Sequence, residues 1–326
     1  MQSRGGPNAT CDTDVMLDAL DRLRDTGPEF GGFLANHGPM AADALIRLGG
    51  STEVDRWVWQ YRLGLSAAVP LGTAVTDRNW RDHRGHIERL GDWIGYFRPL
   101  VADIGWRGAL ELWWPRLLPG SAASATHGLI RTAHAVRLLA ERGDAQSLVR
   151  DELATALAYW AARSQLMPGR PRLAGGFNLS GAIVRLPRLG PGVPSIGPGL
   201  GGRLAALSTL VDLPPALDAW GPATVDATAF DELIGAAARI VAARSDAPIA
   251  YCHAVTAPAA VRMILPHLPA EHLGATLAAC WQIVGAIVAA FAHPPHRDET
   301  RAPSSAAPDR LGLAALAVEH GDEHVI

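Results

Sequence analysis

Ala125-Thr126-His127-Gly128-Leu129-Ile130-Arg131-Thr132-Ala133-His134-Ala135-Val136 sets two imidazoles seven residues apart within apolar, Ala-rich sequence. Seven residues is close to two helical turns. A helix here puts His127 and His134 on one face, with Leu129, Ile130, Val136 and Leu138 free to pack. Such a face carries either chemistry or a pair of core histidines satisfied by backbone carbonyls.

Outward from this segment the same periodicity repeats. Glu141-Arg142-Gly143 closes the pattern, and Asp151 to Ser164 reads as the next helix. Upstream, Val15, Met16, Leu17, Leu20 and Leu23 recur at helical spacing until Gly27-Pro28. Phe33 to Met40 then leads into a helix from Ala41 to Leu48, with Pro39 in its first turn, Gly49-Gly50 at its exit and His37 at its entrance. Ser51-Thr52-Glu53 opens another through Trp57, Trp59 and Tyr61. Two aromatic-rich segments follow, from His86 to Ile104 and from Trp106 to Leu117. The ten tryptophans read as core at helical spacing or, alternatively, as the lining of a pocket for a flat polycyclic ligand.

From Pro168 to Gly202 glycine and proline dominate, which predicts a long loop that can join two helical halves. Gly197 to Gly202 formally match GxGxxG, but no β-rich segment precedes them and two prolines interrupt the approach, so a dinucleotide fold is not expected. Helical patterns resume from Leu204 to Leu210 and from Phe230 to Arg244. Thr256 and Pro258 are placed to start a further helix through Ile264, with His253 just before it. Leu273 to Ala292 is long and apolar enough to raise a membrane span, yet Trp281 and Gln282 interrupt it, so a buried central helix is expected. His293-Pro294-Pro295-His296 and Ala302 to Pro308 read as loop. Leu311 to Ile326 reads as an amphipathic helix carrying His320 and His324 at i and i+4, a spacing that lets one helix face offer two imidazoles to one metal. With few strand signals, the expectation is an all-α, multi-helix domain over residues 1–326 with an internal His-lined site.

Composition narrows the function. The chain has 326 residues, 19% charged, with a formal net charge of -3, so no basic surface invites nucleic acid and a small or apolar partner is expected. All 29 basic residues are arginine, which removes Schiff-base and P-loop lysine chemistry. Cys11, Cys252 and Cys280 are far apart and form no CxxC, and Met1 to Thr10 lacks an apolar run, so a reducing, cytoplasmic setting without a secretory signal or membrane partner is expected. No Asp-rich magnesium motif, His-Asp dipeptide or G-x-S-x-G supports a terpene cyclase or a hydrolase. What remains is a set of imidazoles, which favour iron, zinc, copper or nickel over magnesium or calcium.

Asn36-His37-Gly38-Pro39-Met40, the segment from His127 to His134, His253-Ala-Val-Thr256-Ala and His320-Gly-Asp-Glu-His324, in that order over most of the chain, resemble the successive motifs of the questin oxidase family. The resemblance implies an α-helical oxidoreductase acting on aromatic polyketides such as anthraquinones, by oxygen insertion or oxidative ring opening. Members are described as Baeyer-Villiger-type, NADPH-dependent oxidases and as non-haem iron oxygenases. The surplus of histidines and the lack of a dinucleotide fingerprint favour the second description here. The expected assignments are a metal, Fe2+ by preference, held by His37, His127, His253, His320 and His324, with dioxygen as co-substrate. His134 is expected to move a proton, Arg131 to stabilise an anion, and Asn36, Asp43, Glu319 and Asp322 to orient the imidazoles. A metal-free binding protein for an aromatic polyketide is the alternative. In the family the closing motif usually runs on into a lysine that can join the metal site in carbamylated form. The present sequence reaches Ile326 without one, and a continuation past that point is expected.

Overall fold

The computed structural model describes residues 7–143, 146–292 and 309–326. It is all-α. Among the described residues fourteen helices occur: α1 (Pro7–Leu23), α2 (Gly38–Arg47), α3 (Val54–Arg62), α4 (Trp80–His83), α5 (Leu90–Leu117), α6 (His127–Arg142), α7 (Ser147–Ala162), α8 (Leu179–Arg185), α9 (Gly199–Ala205), α10 (Leu213–Leu217), α11 (Ala227–Ala243), α12 (Pro248–Ile264), α13 (Leu273–Phe291) and α14 (Arg310–His320). The strands are a two-residue hairpin, β1 (Glu29–Phe30) and β2 (Leu34–Ala35), paired antiparallel. The loop expected over 293–296 and 302–308 lies outside the described residues.

The centre of the molecule is the stack formed by α5, α7, α6 and α12. Helix α7 packs against both α5 and α6, α6 packs on α12, and α12 is backed by α11 and α13. Ala-rich faces allow close approach. At Gly128 of α6 an added Cβ would lie 2.6 Å from Trp160 Cα of α7, so only glycine lets these two helices meet there. Trp93, Trp106, Trp113, Trp114, Trp160, Trp220 and Trp281 are fully buried, which decides for tryptophan as core. One hydrophobic cluster includes residues on both sides of the 168–202 stretch.

Gly105, at φ 71°, kinks α5 where the sequence separates its two aromatic segments. The 168–202 stretch is less irregular than expected, since α8 lies in it and α9 begins in it. Its start accounts for Gln282 of α13, whose Nε2 donates to the carbonyls of Met167, Pro168 and Gly169, while Trp281 Nε1 donates to Leu217 O at the end of α10. Pro248–His267 and Ala270–Phe291 are each long and apolar enough to cross a membrane, but 78% of the second is buried inside the protein, as a central helix requires.

Two expected helix boundaries are corrected. Helix α12 starts at Pro248 rather than near Thr256, so His253 lies within the helix; Pro248 holds the first-turn place, and Pro258 is carried in the interior. Helix α14 stops at His320, where Gly321 turns left-handed (φ 72°) and Asp322 O collects the N–H groups of Val325 and Ile326. His320 and His324 therefore do not share a helix face.

Candidate metal centre and cavity

Four histidines from four separate segments converge. His37 occupies the N-cap position of α2, His127 opens α6, His253 sits in the second turn of α12, and His324 lies in the turn after α14. His37 and His127 approach with Nε2 atoms 2.7 Å apart, and His253 Nε2 lies 3.2 Å from His127 Nε2. His324 closes the group, its ring centroid 4.8 Å from that of His37 and 6.2 Å from that of His253. The ligand nitrogens of His37, His127 and His324 all fall within 4.8 Å of one another.

Local backbone sets the direction of each ring. Ser124, Ala125 and Thr126 are three consecutive non-glycine residues in left-handed conformation (φ 45°, 56° and 74°), each costing about 1–2 kcal/mol. The arrangement places the Ser124 carbonyl 2.5 Å from His127 Nδ1. In α12 the Ile249 carbonyl sits 2.6 Å from His253 Nδ1. A carbonyl only accepts, so both rings carry hydrogen on Nδ1 and a lone pair on Nε2. Asn36 fixes the entry to α2: its Nδ2 donates to Gly27 O and its Oδ1 accepts from Gly38 N, while the His37 N–H donates to Tyr61 Oη at 2.9 Å. Asp322 Oδ1 accepts the His324 N–H at 2.8 Å.

Three of the rings, His37, His127 and His253, are held neutral. Burial, then the neighbouring His324 and His253, push the His37 pKa down to about 3. Burial drives His253 to about 4, and burial with the flanking histidines lowers His127 well below the ordinary value. His127 and His253 thus point two lone pairs at each other across 3.2 Å with no proton between them. A shared cation removes that repulsion. With bonds of about 2.1 Å, neighbouring nitrogens on one metal sit roughly 3.0–3.4 Å apart, which the 3.2 Å pair meets and the 2.7 Å pair falls somewhat short of. His37 Nδ1 is buried and makes no hydrogen bond. This donor set fits a first-row divalent metal.

The four imidazoles line a cavity of about 870 Å³. Phe30, Phe33 and Phe291 supply its aromatic walls, and no tryptophan lines it. Polar groups are few: Arg163 is held by Glu29 through Nε at 2.7 Å and through Nη2, and Gln165 donates to Gly201 O at 2.9 Å. Pro198 to Gly202 form part of the wall, and the seven-residue α9 opens there at Gly199 with no strand directly before it among the described residues.

Other expected site residues lie elsewhere. His134 shares the α6 face with His127, as seven-residue spacing requires, but about 10 Å further along the axis, where its Nδ1 meets Asp43 Oδ2 at 2.8 Å beside Arg137. Asp43 therefore supports His134 rather than the four-histidine group; burial opposes its ionisation, but His134, Arg137 and Arg47 outweigh that and hold its carboxyl well below the usual range. Arg131 is buried behind the site in a two-bond pair with Glu152, at 2.6 and 2.8 Å, and does not line the cavity. His320 and Glu319 are exposed on α14. Arg163, Gln165, Glu323 and the aromatic hairpin residues are cavity groups that sequence reasoning missed; they belong to no repeating spacing, and only the fold brings them together. Comparison with family models, with curated proteins and with solved structures finds no match to this chain.

Proposed function

We propose that the chain is a non-haem, iron-dependent oxygenase that acts on a flat aromatic molecule of the anthraquinone or related polyketide class. The observation that carries this reading is the pair of Nδ1-protonated imidazoles, His127 and His253, whose Nε2 lone pairs face one another in a neutral, buried group. His37, His127, His253 and His324 would hold the metal, which when bound supplies a Lewis acid and a place for dioxygen. The protein's own part is positioning. Phe30, Phe33 and Phe291 offer ring faces to a planar molecule, and the narrow polar content of the cavity keeps its interior low in dielectric. Arg163, a cavity residue whose direction is fixed by Glu29, would supply a cationic partner for an enolate or phenolate oxygen. Tyr159 Oη, donating to Glu29 at 2.9 Å and paired with the cavity residue Ser124, provides a hydroxyl chain along which a proton can leave the cavity.

Elemental analysis of protein purified without added metal or chelator tests the reading. About one iron per chain, lost in His127→Ala, is the expected result; oxygen uptake with an anthraquinone panel, with and without NADPH, then identifies the substrate and any reductant. Protein that takes up no metal would overturn the proposal and favour a sequestering protein for the same aromatic class.

A further inference from the structure

The cavity offers more room than a three-ring aromatic needs. At about 870 Å³ it lies near the upper end of the ~300–1,000 Å³ that hold drug-sized ligands, whereas a planar three-ring molecule is one ring thick. Hydrocarbon borders much of the remaining space. Phe33, Leu34, Ile196 and Ile249 line this cavity and are 42%, 46%, 58% and 54% exposed, although His127 and His253 of the same lining are buried. The fold sets their positions. A Cβ added at left-handed Gly199 would lie 3.1 Å from Phe33 Cε2, so the hairpin turn and the opening of α9 meet there, and the Ile196 N–H, donating to Gly202 O at 2.8 Å, ties the preceding loop to α9. Ile249 and His253 stand one turn apart on the same face of α12, about 6 Å along its axis. A molecule with its rings beside His253 can therefore reach Ile249 with another part of itself.

A polar appendage finds few partners here. Ser124 Oγ shares a hydrogen bond with Tyr159 Oη, and Gln165 donates to Gly201 O. Apart from the imidazoles, Arg163 and Glu323 are the charged side chains among the described lining residues, and Arg163 is paired with Glu29. A sugar or phosphate would give up water for little return, whereas a hydrocarbon chain would cover apolar surface that is otherwise exposed.

We infer that the aromatic substrate carries an apolar extension, an alkyl or prenyl-type chain, that lies against Ile196, Ile249 and the Phe33–Leu34 turn. The inference rests on the aromatic-substrate reading above and is independent of the metal. Recognition is then divided: the rings are placed near the imidazoles, and the length of the chain is measured by exposed apolar groups of the wall.

The test is equilibrium dialysis of the full-length chain against dihydroxyanthraquinone and its methyl, butyl and hexyl homologues, read by their visible absorption. Each added methylene should tighten binding by about threefold while it still meets the wall, so the hexyl compound is expected to bind at least tenfold more tightly than the parent. In the Ile196→Asn, Ile249→Asn double variant that ratio should fall below threefold, with the parent compound as internal reference for the fold. Val211→Asn, at a more exposed site outside the cavity, should keep the full ratio. A hexyl compound bound no more tightly than the parent by the wild type would overturn the extension and leave the aromatic reading standing. A ratio undiminished in the double variant would overturn it too, since the chain would then lie elsewhere. Sedimentation of the wild type with phosphatidylcholine vesicles, lost in the double variant and seen in place of the hexyl gain, would overturn it by assigning these side chains to a lipid surface. Binding of none of the four compounds would instead overturn the aromatic reading on which the inference stands.

Discussion

Replacing Gly128 by alanine perturbs the site without touching any ligand. The new Cβ would lie 2.6 Å from Trp160 Cα, 2.7 Å from its Cβ and 3.1 Å from its Cγ, where ordinary contact begins at 3.4 Å. Two of those atoms cannot swing aside, so α6 and α7 must part by about 0.8 Å at the first turn of α6. Alanine repays about 1 kcal/mol through its helix propensity, while overpacking of a close-packed contact costs about 1–3 kcal/mol. The expected net loss is up to about 2 kcal/mol, seen as a lower urea midpoint at unchanged slope. The larger effect is on the cation. His127 is the next residue, and a comparable displacement of its Nε2, now 2.7 Å from His37 and 3.2 Å from His253, should weaken Co2+ binding at least tenfold. A Gly128→Ala protein as stable as the wild type, with unaltered Co2+ affinity, would refute the claim that this contact sets the position of the site.

Three further outcomes follow from the same geometry. In metal-free protein His37 and His253 titrate near 3 and 4, below the unfolded value of 6.5, so the unfolded chain binds more protons in between; stability should be complete above pH 6.5 and fall as pH drops toward 4, with His253→Gln flattening the slope of urea midpoints against pH. A flat wild-type profile would contradict this. Glu152→Gln leaves Arg131 buried without its counter-charge and should cost about 3–5 kcal/mol, much of it recovered in the Arg131→Met, Glu152→Leu pair; a loss under about 1 kcal/mol would show that Arg131 finds water or another partner. Trp57→Phe removes the 2.7 Å bond from the indole N–H to Gly321 O, and should cost about 1 kcal/mol of stability and several-fold in Co2+ affinity; unchanged affinity would mean that the closing turn is held by its other contacts.

The helices were legible wherever apolar residues recur at helical spacing, and the kink at Gly105 fell between two aromatic runs. Four of the five histidines expected at the metal do meet. For His37 and His127 the sequence signal lay at a helix entrance and on an apolar face, whereas His253 lies within α12 and His324 was reached through the i, i+4 pattern with His320. His320 failed for a local reason: Gly321 is a helix terminator, and the i, i+4 pattern was read across it. His134 and Arg131 failed for a different one, since each found a buried carboxylate on a neighbouring helix, Asp43 and Glu152, and pairing of that kind depends on tertiary packing. Two prolines competed for the start of α12, and the later one drew the boundary away from Pro248. The cavity walls are the least visible part, because Phe30, Arg163, Gly199 and Glu323 are joined by no spacing in the chain.

Helix α14 buries none of its residues, yet the turn that follows it brings His324 to the group of imidazoles. What holds the segment is modest: Val318 against Gly50, the Trp57 bond to Gly321, and the packing of Ile326 at the edge of the core. The apparent affinity for a cation is then the intrinsic affinity multiplied by the fraction of molecules in which this segment is seated, so seating one molecule in ten costs about tenfold. Linkage makes the relation mutual. Any occupant of the cavity that rests on Glu323 or His324 raises the affinity for metal by the same factor that metal raises the affinity for it. The order of arrival leaves the total free energy untouched and decides only which of the two does the work of closing the wall.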